Sequence, residues 1–347
     1  MTFDLEGVAT MAHEPAEAQA VAGPLLAVCG TAGPHAADLQ VAIELGLSDE
    51  NTSARTFYYN DQRSGRRAQE VASEIAASGT KYVVGHFSTP AALAASRIYG
   101  DQGIVFLAPG TSAPDLCTST STTTVQLFGT DDEQLECLAR AAIELGRSIL
   151  LLSQTGTYGA RLAASLVPRL TPCCRKLAAL YLNEEPPGRL PVTVEASDVL
   201  VILGPQDFAA RLFTGALRSV SLGQILMSDD CFTPSLFLES DLASRCSVAF
   251  LEKQSGMLID RQVNELRHRA RQVLGRSAGP YFETSYIAAR ALAVAWREVG
   301  SDDPFAVLRY ILGHAWQSPF GLLSFSAERR LRGYRWRMIP ARAIGER

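Results

Sequence analysis

Residues 81 to 116, KYVVGHFSTPAALAASRIYGDQGIVFLAPGTSAPDL, constrain the fold more than any other part of the chain. Two short apolar runs, Tyr82-Val83-Val84 and Ile104-Val105-Phe106-Leu107, are bounded by glycines, as strands buried on both faces are. Between them, the small-residue stretch from about Pro90 to Tyr99 reads as a helix with proline in its first turn. Both strands end in hydroxyl-bearing turns, Ser88-Thr89 and Gly110-Thr111-Ser112. In a parallel sheet, ligands collect at the carboxyl ends of strands, where free N–H groups and helix N-termini face outward. Two such turns make a cradle for a small carboxylate. No nucleophile with its base accompanies them, so the segment reads as a place of binding, not reaction.

The same alternation runs along the chain. Leu25 to Cys29 reads as a strand, about Ala36 to Leu47 as a helix and Arg55 to Tyr59 as a strand. Ala68, Val71, Ala72 and Ile75 recur at helical spacing, with Gly79 at the helix end. After Phe128-Gly129-Thr130 the pattern restarts with a helix from Asp131 to Gly146, capped by Thr130 or Asp131. Strands are expected at 149–152, 177–182, 199–203 and 224–227, and helices at 158–170, 207–220, 260–274 and 282–299. Gly321 to Phe325 and Leu331 to Ile339 read as a terminal hairpin, with Tyr334, Trp336 and Met338 on one face. Strand–helix alternation implies βαβ units and a parallel sheet. Periodicity alone gives α/β and no more.

At 347 residues the chain is long enough for two domains. A net charge of -4 argues against nucleic acid as a partner, and the basic stretch of Arg329, Arg330, Arg332, Arg335 and Arg337 reads as the solvated face of a hairpin. No apolar run approaches the roughly 20 residues of a membrane span. Residues 1–23 are rich in Ala, Glu and Pro, with Asp4 and Glu6 where a secretory signal has basic residues. They are expected to form a tail. As it stands the chain reads as cytoplasmic, and as periplasmic if a signal has been removed. Its seven cysteines show no framework spacing and fit a reducing compartment. There is no G-x-S-x-G elbow, Walker A loop, H-E-x-x-H or dinucleotide glycine fingerprint, so no enzyme, metal or cofactor is expected. The five histidines are scattered, and His86, closing a buried strand, reads as a satisfied core histidine.

The stretch from KYVVGH through IYGDQGI to PGTSAPDL resembles, without a gap, the matching segment of the leucine/isoleucine/valine-binding proteins. These are type 1 periplasmic binding proteins, the substrate-binding components of ABC transporters. Gly279-Pro280-Tyr281, followed by Ser285-Tyr286-Ile287-Ala288-Ala289, resembles the start of that family's late helix, and SPFGLLSFSAERRLRG resembles its closing hairpin. The resemblance spans roughly residues 25 to 340. It implies a clamshell of two doubly wound parallel-sheet lobes joined by a multi-crossing hinge, closing on a ligand. Lobe 1 would comprise 24–128 plus 253–317, and lobe 2 would comprise 129–252 plus 318–347. The implied function is a receptor for a small amino acid or amide-like ligand, partnered by an ABC permease. The alternative is a cytoplasmic amide or amino-acid sensor regulating a partner protein.

Carried over by position, the resemblance gives the ligand carboxylate to Thr89, Gly110, Thr111 and Ser112. It gives the amine to Asp230, a charge-assisted contact, with Asp229 as a solvated neighbour. Tyr158 and Tyr281 match pocket aromatics, and Phe87 and Ser88 the side-chain pocket. Asp207 lies in the 204–208 turn, where the family often has a tyrosine. Other departures are a short first loop, Gly33 to Ala37, without an aromatic lid, and Pro90 in place of a serine. A cysteine pair of the family is also missing, its positions matching Arg63 or its neighbours and Ser88.

Overall fold

A computed structural model describes residues 23–343, except 34, 118–120, 157, 196–197, 219, 221–222, 232–243 and 254–258. The expected tail, Gly23 apart, lies outside the described residues. The first sheet contains β1 (Leu25–Cys29), β2 (Arg55–Tyr59), β3 (Tyr82–Gly85), β4 (Val105–Ala108) and β5 (Thr124–Gln126). Its order is β2-β1-β3-β4-β5, parallel throughout. Helices α1 (Ala36–Asp49), α2 (Gly65–Ala77) and α3 (Thr89–Asp101) connect the first four strands. Strand pleating divides the core: Leu26, Val28, Tyr82 and Val84 pack towards α1. Ala27, Cys29 and Val83 pack under the alanine-rich faces of α2 and α3. Burial on both faces is why these strands read as unbroken apolar runs.

The second lobe opens with α4 (Asp131–Leu145), started by a full capping box between Thr130 and Glu133. There follow β6 (Ser148–Gln154), α5 (Tyr158–Leu170), β7 (Lys176–Leu182), β8 (Val199–Leu203), α6 (Gln206–Thr214), β9 (Ile225–Met227) and β10 (Cys246–Lys253). The chain then returns to the first core with α7 (Ile259–Leu274), α8 (Phe282–Val299) and α9 (Pro304–Gly313). Gly46 lets α8 lie close on α1, since a Cβ there would stand 2.7 Å from Ala289 Cβ and 2.8 Å from the Tyr286 carbonyl. A short ribbon, β11 (Trp316–Ser318) with β12 (Gly321–Leu323), precedes β13 (Tyr334–Pro340). β13 crosses back to give the second sheet its order β13-β10-β9-β8-β6-β7, with only the β10–β13 pair antiparallel.

Several expectations change. β5, β10 and α9 were not anticipated, although Asp303 caps α9 and Pro304 begins it, an ordinary start signal. The terminal hairpin is far shorter than expected: β12 pairs with β11 and β13 with β10, and the antiparallel pairing is confined to 324–326 against 330–332, around the Phe325–Leu331 bridge. Trp316, Phe320, Leu323 and Phe325 pack in the first core. The helix expected over 207–220 ends at Thr214, before Gly215.

Candidate ligand cleft

The carboxyl ends of both sheets border one cavity of about 120 Å³. Gly30, Ala32 and His35 follow β1, and Asp61 and Arg63 follow β2. Phe87, Ser88, Thr89 and Pro90 follow β3, and Gly110 and Ser112 follow β4. From the other side come Tyr158 after β6, and Asp229 and Asp230 after β9; Tyr281 enters from the start of α8.

On the lobe 1 side, Ser88 occupies the N-cap position of α3 without using its side chain as a cap. Its Oγ is shielded from solvent and finds no hydrogen-bond partner among the described residues. A buried hydroxyl of this kind is costly unless something pairs with it. Thr89 Oγ1 accepts a bond of 3.2 Å from Arg161, which reaches across from α5 and also pairs with Asp131. Gly110 is required by its neighbour: a Cβ there would lie 2.0 Å from Phe87 Cδ1. The Phe87 ring in turn packs 5.1 Å from the Tyr281 ring. Tyr281 is held by its surroundings. Asp38, buried in α1, accepts from the Gly279 N–H at 2.8 Å and pairs with Arg276 at 2.6 Å, and Thr284 donates to the Pro109 carbonyl at 2.6 Å.

The lobe 2 side is acidic. Asp229 is only 2% exposed and accepts from Gln134 Nε2 at 2.7 Å, from the Tyr158 hydroxyl, and from the Tyr281 hydroxyl at 3.3 Å. Asp230 faces lobe 1, with His35 Nε2 at 3.3 Å, the Tyr281 hydroxyl at 3.3 Å and an Arg63 nitrogen at 3.6 Å. Tyr281 has one phenolic proton and two carboxylates in reach, so one oxygen is open to another donor. Burial first, then the charge of Asp230, push Asp229 up to about 6. Burial also presses Asp230 upward, but His35, Arg63 and Tyr281 together outweigh it and hold that carboxyl below its ordinary value.

Beneath the cleft, His86 is fully buried, with Nδ1 2.8 Å from Asp61 and Nε2 2.8 Å from the Tyr99 hydroxyl. Burial opposes its charge, but Cys29 and Asp61 outweigh that and raise it to about 9. Asp61 also accepts from the Arg63 N–H at 2.9 Å, and Asn60 from the Gln62 N–H at 2.8 Å. These bonds hold Gln62 and Arg63 in the left-handed region, at φ +52° and +56°. Non-glycine residues adopt it at a cost, and Asx-type bonds offset that cost. The Arg63 side chain is thereby carried to the cleft.

Of the residues expected at the site, Phe87, Ser88, Thr89, Gly110, Ser112, Tyr158, Asp230 and Tyr281 meet around the cavity. Two do not. Thr111 is fully buried and donates its hydroxyl to the His86 carbonyl at 2.7 Å, a fold-holding bond. Asp207 lies exposed in the first turn of α6, away from the cavity. Asp229 reverses expectation, because the short 3-10 turn Asp229–Cys231 brings it inward to be the more buried acid. His35, Asp61 and Arg63 were not expected to line the cavity. Their common signal is position, each standing in the turn that follows a lobe 1 strand. Arg63 and Ser88, set by the resemblance at or beside the missing cysteine pair, both line the cavity.

No family model matches the chain. A Leu/Ile/Val-binding protein of Citrobacter freundii is 22% identical over 303 residues, covering 83% of this chain and 79% of the relative. Among solved structures, the branched-chain amino acid transporter substrate-binding protein of Streptococcus pneumoniae, in complex with isoleucine, superposes with a TM-score of 0.73 at 13% identity. The match covers 91% of this chain and 99% of that one. A solute-binding protein of an ABC transporter from Rhodopseudomonas palustris, in complex with 3,4-dihydroxybenzoic acid, gives 0.72 at 15% identity, covering 92% and 96%. The fold is that of the type 1 periplasmic binding proteins. Since that fold holds both an amino acid and an aromatic acid, the ligand must be read from the residues of the cleft.

Proposed function

We propose that this chain, a relative of the Leu/Ile/Val-binding proteins with their clamshell fold, is a solute-binding receptor for a small amino acid, acting as the substrate-binding component of an ABC transporter. One observation carries the reading: an unpartnered, shielded Ser88 hydroxyl and a pair of carboxylates, Asp229 and Asp230, line the same cavity from opposite lobes. The hydroxyl, with the turns at Thr89, Gly110 and Ser112, suits a carboxylate; the acids suit an ammonium. A zwitterion satisfies both. An aromatic acid brings no cation to Asp229, whose partners Gln134, Tyr158 and Tyr281 are all neutral, a penalty that disfavours it. The reading is binding without turnover, since Ser88 has no base within hydrogen-bond reach among the described residues. An ABC permease would be the partner that receives the loaded clamshell.

The free state of all seven cysteines favours a second reading, in which the same clamshell is an intracellular sensor acting on a regulatory partner. Isothermal titration tests the ligand class common to both readings. α-Amino acids are expected to bind, and their decarboxylated amines and deaminated acids to bind at least about tenfold more weakly. Equal binding of the amine and its amino acid would remove the carboxylate side of the site.

A further inference from the structure

The cavity is small for a receptor related to branched-chain amino-acid binders. At about 120 Å³ it falls below the ~150 Å³ engineered cavity that admits benzene. Alanine has as many non-hydrogen atoms as benzene, whereas leucine has half as many again. The residue that takes up the space is Phe87. Its ring is wedged between two glycines: a Cβ at Gly110 would meet Phe87 Cδ1 at 2.0 Å, and one at Gly30 would meet Cδ2 at 3.1 Å. Tyr281 closes the third side with its ring 5.1 Å away. So packed, the ring forms a wall of the cavity backed by Gly30, Gly110 and Tyr281.

The lobes cannot yield cheaply either. Widening the cavity means parting contacts that cross it, His35 to Asp230 at 3.3 Å, Tyr281 to Asp229 at 3.3 Å and Arg161 to Thr89 at 3.2 Å. A branched side chain would therefore have to break the closure that gives the site its donors and acids.

We infer that Phe87 is a size filter that restricts this receptor to α-amino acids with the smallest side chains, glycine, alanine and serine, and excludes leucine and isoleucine. The inference rests on the amino-acid reading above and goes further by naming the side-chain class and the residue that sets it.

Isothermal titration of the purified chain with alanine, serine, leucine and isoleucine tests it, beside Phe87→Ala and Phe87→Leu. Alanine is expected to bind at least about tenfold more tightly than leucine, since each methylene lacking a place in a pocket is worth about that much or more. In Phe87→Ala the alanine-to-leucine preference should fall by at least about tenfold, with Phe87→Leu in between. Melting curves confirm that the variants are folded; if Phe87→Ala is not, the Phe87→Leu preference decides. Leucine binding as tightly as alanine to the wild-type chain overturns the size filter while leaving the receptor reading standing. So does a preference unchanged in the folded variants. Failure of every α-amino acid to bind overturns both.

Discussion

Asp230 of the second lobe meets His35 of the first across the cleft, carboxylate oxygen to Nε2, at 3.3 Å. Both side chains are mostly shielded, at 15% and 13% exposure, so little solvent competes for the contact. A hydrogen bond to a charged group contributes about 1.5 to 3 kcal/mol, enough to shift an open–closed equilibrium by roughly tenfold or more. His35→Ala should therefore open the ligand-free protein, raising its radius of gyration in small-angle scattering. Saturating ligand should restore the compact value. An unchanged radius would mean that Arg161–Thr89 and the tyrosine bonds suffice to hold the lobes together.

The two acids are expected to share the ligand's ammonium. Asp229→Asn and Asp230→Asn keep the shape of the site and remove one charge each. Each variant should lose roughly tenfold to a hundredfold in affinity for an amino acid. Asp230→Asn should also resemble His35→Ala in scattering, whereas Asp229→Asn, which among the described residues touches lobe 1 only through Tyr281, should stay compact. Wild-type affinity in a folded Asp229→Asn would assign that acid to holding Gln134 and Tyr158 alone.

What the sequence could disclose follows from how local each signal is. The fully buried strands at 82–85 and 199–203 and the long helix at 282–299 announce themselves through periodicity within their own residues. β13 was equally legible as a strand. Its partner was not, because it pairs with β10, more than eighty positions earlier, while proximity in sequence favours a hairpin. The site divides in the same way. Hydroxyl turns after β3 and β4 could be placed by strand-end logic. Which face each residue turns inward depends on geometry finer than a strand boundary. Thr111 turns into the core towards His86, while Ser112 next to it lines the cavity. A single 3-10 turn likewise brings Asp229 inward to line the cavity beside Asp230. Arg63 depended on still more, since two left-handed residues and a buried aspartate bring it to the cleft.

Stability should depend on pH in two separable windows. Asp229 keeps its proton to about 6 when folded against an ordinary 3.8. The folded chain thus binds more protons between those values, and this group's contribution is lost as pH rises through the window. His86 is raised from 6.5 to about 9, so its contribution is full below 6.5 and disappears as pH rises through 9. Urea midpoints measured from pH 4 to 10 should fall in both ranges. Asp229→Asn should flatten the acidic one and His86→Gln the alkaline one. If neither variant alters the slope, the charges that dominate lie elsewhere.

Ser88 and Thr111 offer the sharpest separation of binding from folding, because both carry hydroxyls in the two turns yet use them differently. The Ser88 hydroxyl is shielded, has no partner among the described residues and borders the cavity. Removing it in Ser88→Ala relieves a buried unsatisfied group, so the ligand-free melting temperature should hold or rise slightly. Affinity should fall, by about threefold to tenfold for a neutral donor lost to a carboxylate. Thr111 already spends its hydroxyl on the His86 carbonyl, so Thr111→Val should cost about 1 to 3 kcal/mol of stability by leaving that buried oxygen unpaired. Titration of the folded Thr111→Val should return wild-type affinity. Thermal melts and calorimetry on the same two proteins give all four numbers. A loss of affinity at Thr111 without loss of stability, or the reverse pattern at Ser88, would mean that the ligand approaches the other face of these turns.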